Sequence, residues 1–391
     1  MRIAVVTAGP WDSPWREDAL IVRRLAGAAA CAADVDVLVA GGEPIAGERV
    51  ATVRVLRFPA AEPQWERRNA YFRAAFGVAD FHQPTTCSCL ENLARRLGAQ
   101  VPRALQRRLA ELACPDSAEL RAHLRRETYD EVLVAGYAAA PLIEQARCNR
   151  VVLLPLARDE PSLHLPIYDS LFEQAARILV SSECENRLVA GRISRDTDPR
   201  LRNVGFVIRA NPGVAATAPR NPADPPFLLV ARDWTERFPI VWLSRLAETL
   251  RRRFADLRIC LTGPAVGSVD AGPGFFRRTV RSAVDVESWT AKAFALLDPE
   301  PNRLLGREVI TALLSGTPVI VPARGGATRE HAESGNGGLW YRSEAEIEQC
   351  VELLGDEGLR RTLGSQGRAY AEDRYGDPAA FTRRVTEAVC S

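Results

Sequence analysis

Two carboxylates eight residues apart, Glu300 and Glu308, frame the run EPNRLLGRE. An ionised carboxylate only accepts hydrogen bonds, so such a pair suits a ligand rich in hydroxyls, such as a ribose or a sugar. Residues 304–314 carry apolar side chains at Leu305, Val309, Ala312 and Leu313, which is helical spacing. A helix beginning near Leu304 and Leu305 would aim backbone N–H groups and its positive dipole end at an anion. A diphosphate at that helix start, with one carboxylate on each side, would make a nucleotide-sugar site. Glu308 falls in the first turns of this helix, and its apolar neighbours leave it to face a crevice or solvent. Two glutamates at this spacing also occur on ordinary solvated helices, so context has to separate the readings.

The surrounding elements supply that context. Residues 294–298 form a short apolar run of strand length, and Glu300 follows at once in a loop flanked by prolines. Gly316 lies just past the predicted helix, where a left-handed cap costs glycine little. Residues 318–322 read as a second buried strand, and Gly325-Gly326 as a tight loop. Strand, loop, helix, strand is the repeating unit of an open parallel sheet, whose ligands bind outside the carboxyl ends of the strands. Glu300 sits at such an end.

Taken together, Glu300-Pro301, Leu304-Leu305, Glu308, Ser315-Gly316-Thr317-Pro318-Val319-Ile320, Gly325-Gly326 and Glu330 resemble the donor-site signature of retaining family 4 glycosyltransferases. That signature has two glutamates separated by seven residues, a small-Gly-x-Pro-Val turn and a Gly-Gly loop. Asn302-Arg303 departs from its usual Phe-Gly. Further upstream, Arg232-Asp233-Trp234-Thr235-Glu236-Arg237 resembles the family's Gly-Arg-x-x-x-Glu-Lys loop, whose Arg and Lys bind the donor diphosphate. Arg232 matches directly. Arg237 replaces the Lys and keeps the charge in a fork suited to phosphate oxygens. In the run 155–161, Arg158 followed by Asp159 stands where the family carries His-Asp, with the His beside the donor sugar. Arginine is no base near pH 7, but it would hold an anionic acceptor or a phosphate, or stabilise developing negative charge. The first loop has Gly9, which serves either a simple turn or an approach to the donor or acceptor. The dinucleotide fingerprint G-x-G-x-x-G is absent there.

The resemblance implies a GT-B architecture: α/β, with two Rossmann-like domains facing across a cleft. Residues 1–205, completed by a C-terminal helix at 375–391, would form the acceptor-side domain, and 206–374 the donor-binding domain. It implies transfer of a sugar from a UDP- or GDP-sugar to an acceptor, with retention of configuration and without a metal or other cofactor. Glu308 would hold the ribose, Glu300 would position the sugar, and Arg232 with Arg237 would neutralise the diphosphate. Assembly of cell-envelope or exopolysaccharide material is the matching biological setting. The rival expectation is a degenerate, non-catalytic member that keeps the donor pocket, motivated by Arg158. Another GT-B enzyme, an epimerase or phosphorylase, is disfavoured; a pyridoxal-dependent phosphorylase needs a lysine, and Lys292 is the only one, placed in a predicted helix rather than at a strand's carboxyl end.

Bulk properties fit this frame. The chain has 391 residues, comfortable for two domains, and a net charge of +2, which gives no general argument for a nucleic-acid partner. Its nine cysteines are scattered, without a C-x-x-C, and are expected as free thiols in a reducing cytoplasm. The first residues run straight into a strand without a signal-peptide pattern, and no apolar run is long enough to span a bilayer. The arginine-rich stretch 93–126 is either a solvated face packed on the sheet or a surface for an anionic membrane or acceptor; contact with the inner face of a membrane would follow from the second.

Strands are predicted at 2–7, 35–39, 53–58, 131–135, 151–154 and 178–181, and helices at 16–31, 139–147 and 163–176. Ser181-Ser182 with Glu185 gives a capping-box start to a further helix. Residues 203–226, rich in Pro and Gly, read as a linker. A second series follows: strand 227–231, helix 239–254, strand 257–261, the Glu300 region, strand 338–341 and three helices, the last returning to the first domain. His82, His123, His164 and His331 are expected to be structural or exposed.

Overall fold

The computed structural model describes residues 1–8, 16–41, 48–60, 117–143, 146–157, 171–193, 198–208, 225–232, 240–263, 274–280, 283–301 and 303–390. It divides into two compact units, Met1–Phe206 with Ala379–Ser391, and Val207–Pro378.

In the first unit β1 (Arg2–Thr7), α1 (Glu17–Ala29), β2 (Asp34–Ala40), β3 (Glu48–Val50) and β4 (Val53–Phe58) precede α2 (Ala118–Arg126), β5 (Thr128–Ala135), β6 (Arg147–Leu154), β7 (Ala175–Val180), α3 (Glu183–Ile193) and β8 (Leu201–Asn203). The described strands form one sheet, in the order β3-β4-β2-β1-β5-β6-β7-β8. Neighbours are parallel except β3, which pairs antiparallel with β4. The apolar runs Ile3–Val6, Val37–Ala40 and Val132–Ala135 are buried residue after residue rather than alternately, as expected of a parallel sheet covered on both faces.

Two helix expectations of this unit are corrected in their extent. The segment expected as a helix over 139–147 is a 3-10 helix over Tyr137–Leu142 containing Pro141, and Arg147 already belongs to β6. Proline removes a backbone donor and clashes with the preceding turn, so the alanine-rich run stays short. Of the helix expected over 163–176, residues 163–170 lie outside the described residues and 171–174 are helical, but β7 takes over at Ala175, with Ile178–Val180 buried in the sheet.

The second unit runs β9 (Phe227–Ala231), α4 (Ile240–Arg253), β10 (Arg258–Gly263), β11 (Phe275–Thr279), α5 (Ala283–Thr290), β12 (Ala295–Leu297), α6 (Arg307–Leu314), β13 (Val319–Pro322), α7 (Ala327–Ser334), β14 (Gly338–Tyr341), α8 (Glu344–Leu354) and α9 (Glu357–Tyr375). Its sheet is wholly parallel, ordered β11-β10-β9-β12-β13-β14. Chain order therefore reverses between β9 and β12, which makes their carboxyl ends the switch point where ligands bind in such sheets. One face is filled by Leu228, Val230, Ile259, Leu261 and Leu297 against Leu243 and Leu246 of α4 and Ile347 and Val351 of α8. Lys292 lies in the turn after α5, not in a helix, with its Nζ 5.8 Å from the Trp289 ring. The last helix, α10 (Pro378–Cys390), belongs almost entirely to the first unit.

Candidate functional site

Arg232 leaves the carboxyl end of β9, and its N–H still donates to Thr262 O at 3.1 Å, in step with the sheet. Glu300 leaves β12, the strand hydrogen-bonded alongside. Adjacent strand ends thus bring together residues that lie far apart in sequence. The Arg232 guanidinium is 3% exposed, and its Nη1 stands 2.5 Å from Glu300 Oε1. The arginine and the glutamate expected in one donor site thus form an ion pair.

Arg303 extends the pair. Its Nη1 donates to Glu300 Oε2 at 2.7 Å and its Nη2 to Glu308 Oε2 at 2.5 Å. Arg307 Nη2 donates to Glu308 Oε1 at 2.7 Å. Glu300 and Glu308 are therefore linked through one guanidinium, and each has a second arginine of its own. Glu308 does not face solvent. It is buried at 5% exposure between two arginines.

The helix does not begin near Leu304. It begins at Arg307, after Gly306 in a left-handed conformation (φ +69). Leu304 and Leu305 are buried. His331, wholly buried on α7, holds Leu305 O at 2.8 Å from its Nε2. A carbonyl can only accept, so Nε2 carries the proton, and Nδ1 lies 3.2 Å from the Tyr375 hydroxyl and 3.3 Å from that of Tyr370. His331 is thus structural, and what it supports is the loop of this site. The Gly325-Gly326 turn supports the same loop from another direction: Arg303 N–H donates to Gly325 O, and Ala327 N–H to Arg303 O, each at 3.1 Å.

Beneath the arginine–glutamate chain lies Asp298, directly after β12 and 6% exposed. Its Oδ1 accepts the Glu300 N–H at 3.2 Å, while its Oδ2 has no hydrogen-bond partner among the described residues. Burial pushes this carboxyl up to about 7, against the pull of the Arg303 charge. Three groups here were not singled out from sequence: Arg303, Arg307 and Asp298. Arg303 had been noted only as a departure from Phe-Gly. Its three-residue separation from Glu300 was the available signal.

Arg237, Arg158, Asp159 and Gly9, the linker core at 209–224 and the stretch 93–112 lie outside the described residues. Next to Arg158, Ala157 N–H donates to Glu185 Oε1 at 2.9 Å. Glu185 Oε2 accepts from the Ser181 N–H at 2.9 Å, and the Glu185 N–H donates to Ser182 Oγ at 3.1 Å. The capping pair thus also fastens the exit of β6. Burial pushes the Glu185 carboxyl up to about 7. Of the arginine-rich stretch, α2 buries Leu120, His123 and Leu124. Among the described residues no three His, Cys, Asp or Glu side chains gather as a cation site, and no helix is long and apolar enough to cross a membrane.

Two Rossmann-like parallel-sheet units, with the polar groups of the second at its switch point, define the GT-B fold. Solved structures carry the same fold. Sucrose-phosphate synthase from Thermosynechococcus elongatus is 15% identical, with 98% of this chain and 96% of that one covered and a TM-score of 0.68. A trehalose-6-phosphate structure from E. coli bound with UDP-2-fluoro glucose is 14% identical, with 98% and 97% covered and a TM-score of 0.63. HepE from Anabaena in complex with UDP and glucose is 14% identical, with 100% and 99% covered and a TM-score of 0.61. No protein-family model and no curated protein sequence matches the chain.

Proposed function

We propose that this protein is a family 4 type glycosyltransferase that moves a hexose from a nucleoside diphosphate sugar to an acceptor hydroxyl with retention of configuration. The observation that carries the reading is the meeting of Arg232, Glu300 and Glu308 at the switch point of the second sheet. Structures of this fold bound with UDP-2-fluoro glucose, or with UDP and glucose, support a nucleotide sugar as the ligand class. UDP- and GDP-sugars are the donor candidates, with no metal or further cofactor required. The unit Val207–Pro378 is the proposed donor domain, in place of the 206–374 expected from sequence, and Met1–Phe206 with Ala379–Ser391 is the other, in place of 1–205 with 375–391.

In this proposal Glu308 accepts from the ribose and Glu300 from the transferred sugar. Arg232 and Arg237 neutralise the leaving diphosphate, a role that strengthens as charge develops on it. Front-face displacement fits best: the acceptor oxygen bonds to the anomeric carbon as the phosphate oxygen leaves on the same side. That phosphate oxygen takes the acceptor proton. Arg158 and Asp159 would address the acceptor, and Gly9 would allow close approach of the first loop. Cytoplasmic work on cell-envelope or exopolysaccharide precursors, with contact to a membrane through 93–126, is the setting proposed.

The test is a thermal-shift titration with UDP, GDP and ADP. A nucleotide at about 100 times its dissociation constant adds about 2.7 kcal/mol to the folded state. One nucleotide is expected to stabilise the wild type, Glu308→Ala to abolish that shift, and Glu300→Ala to keep it while losing sugar transfer. No shift with any of the three would remove the donor-site reading. A shift without transfer or slow donor hydrolysis would favour a degenerate nucleotide-binding scaffold, the reading that Arg158 motivates.

A further inference from the structure

The placement of Arg303 asks for a role of its own. Its two Nη groups are shared between Glu300 and Glu308, with contacts of 2.7 and 2.5 Å. Charge-assisted hydrogen bonds of this kind are about twice as strong as neutral ones. A neutral hydroxyl approaching Glu308 therefore competes with a guanidinium for Oε2. A diphosphate changes that competition, because it offers the guanidinium an anionic partner with several oxygens and releases the carboxylate oxygen for the hydroxyl.

We infer that Arg303 makes the site selective for a nucleoside diphosphate over the bare nucleoside, by exchanging its guanidinium from the glutamates to the phosphates. This deepens the donor-site reading above and rests on it. The exchange needs only a side-chain rotation. The Arg303 backbone is pinned on both sides by Gly325 O and the Ala327 N–H, and the next two residues, Leu304 and Leu305, are buried. Glu300 keeps Arg232, and Glu308 keeps Arg307, when Arg303 moves away. Neither carboxylate is then stranded without a cation, which is the arrangement that makes loss of a buried partner costly. The same redundancy makes Arg303→Met a tolerable substitution that retains the packing of the stem.

The experiment is calorimetric titration of the full chain with uridine and UDP, and with guanosine and GDP. Wild type is expected to prefer the diphosphate strongly. In Arg303→Met the nucleoside should bind about tenfold tighter and the diphosphate about tenfold weaker, so the preference shrinks about a hundredfold. Diphosphate binding should also become less sensitive to salt. Arg303→Lys, a point charge that cannot bridge both carboxylates at once, should fall between. Equal weakening of nucleoside and diphosphate would make Arg303 a structural strut and overturn the proposal, as would affinities that do not change. If wild type binds none of the four ligands, the donor-site reading fails and this inference with it, a result distinct from a wild type that binds with a preference unaffected by Arg303.

Discussion

Asp298 shows how enclosure by the fold sets the chemistry of one residue. Its carboxyl stands at about 7 instead of its ordinary 3.8, chiefly because burial disfavours the charged form. The native state thus holds its proton more tightly than the unfolded chain does. The sign follows: this contribution is complete below about pH 4 and is lost as pH rises through about 7, by up to about 4 kcal/mol. Glu185, also pushed up to about 7 by burial, acts in the same direction. The melting temperature is expected to fall between about pH 5 and about pH 8. Asp298→Asn, which keeps an oxygen for the Glu300 N–H, should flatten part of that fall. An unchanged slope in differential scanning calorimetry would assign the pH dependence to Glu185 or elsewhere.

Among elements, the start of α6 depends most on one position. Gly306 has φ +69, and a Cβ there would run into the Thr328 side chain of α7. Gly306→Ala is expected to cost about 2–4 kcal/mol in urea denaturation, from left-handed strain and overpacking together. Thr328→Ser removes the methyl group that the new Cβ would meet, so the double variant should recover the packing part and leave about 1–2 kcal/mol of backbone strain. Full additivity of the two changes would show that the contact is not the cause. This same kink explains what the sequence hid. Leu304 and Leu305 continue a helical apolar pattern, yet the helix waits for Arg307, because periodicity reports burial and not the hand of one glycine. Arg303 can span Glu300 and Glu308 only on that non-helical path. The switch-point strands were legible because each is a continuous apolar run buried on both faces. β3, with Glu48, Arg49 and Val50 all exposed, and the similarly weak β11 carry no such run. Glu300 and Arg232 were readable as neighbours, since strand ends in a parallel sheet share one edge, and Glu308 as a carboxylate at the start of the helix that follows. The guanidinium between the carboxylates was not, for it depends on side-chain reach.

At the scale of the molecule, the first unit is not continuous in sequence. α10 packs Phe381 and Val385 into it, with Phe381 edge-on to Phe206 at 6.3 Å. Arg384 Nε donates to Val204 O at 3.0 Å, and Arg177 Nη1 to Ala388 O at 2.8 Å. Phe381→Ala is expected to cost about 3–5 kcal/mol, and to raise amide hydrogen exchange in β7 and β8 while leaving β9 to β14 as protected as before. Equal loosening of both sheets would mean that the two units unfold as one.

α10 also follows the whole second unit along the chain. During synthesis the strands of the first unit emerge early, but the helix that covers Phe206 and the neighbouring sheet arrives only after Val207–Pro378 has been made. At about 5–20 residues per second that interval lasts on the order of ten seconds or more. For that time the nascent first unit displays an apolar face that a chaperone, or a neighbouring nascent chain, can reach before its own helix does.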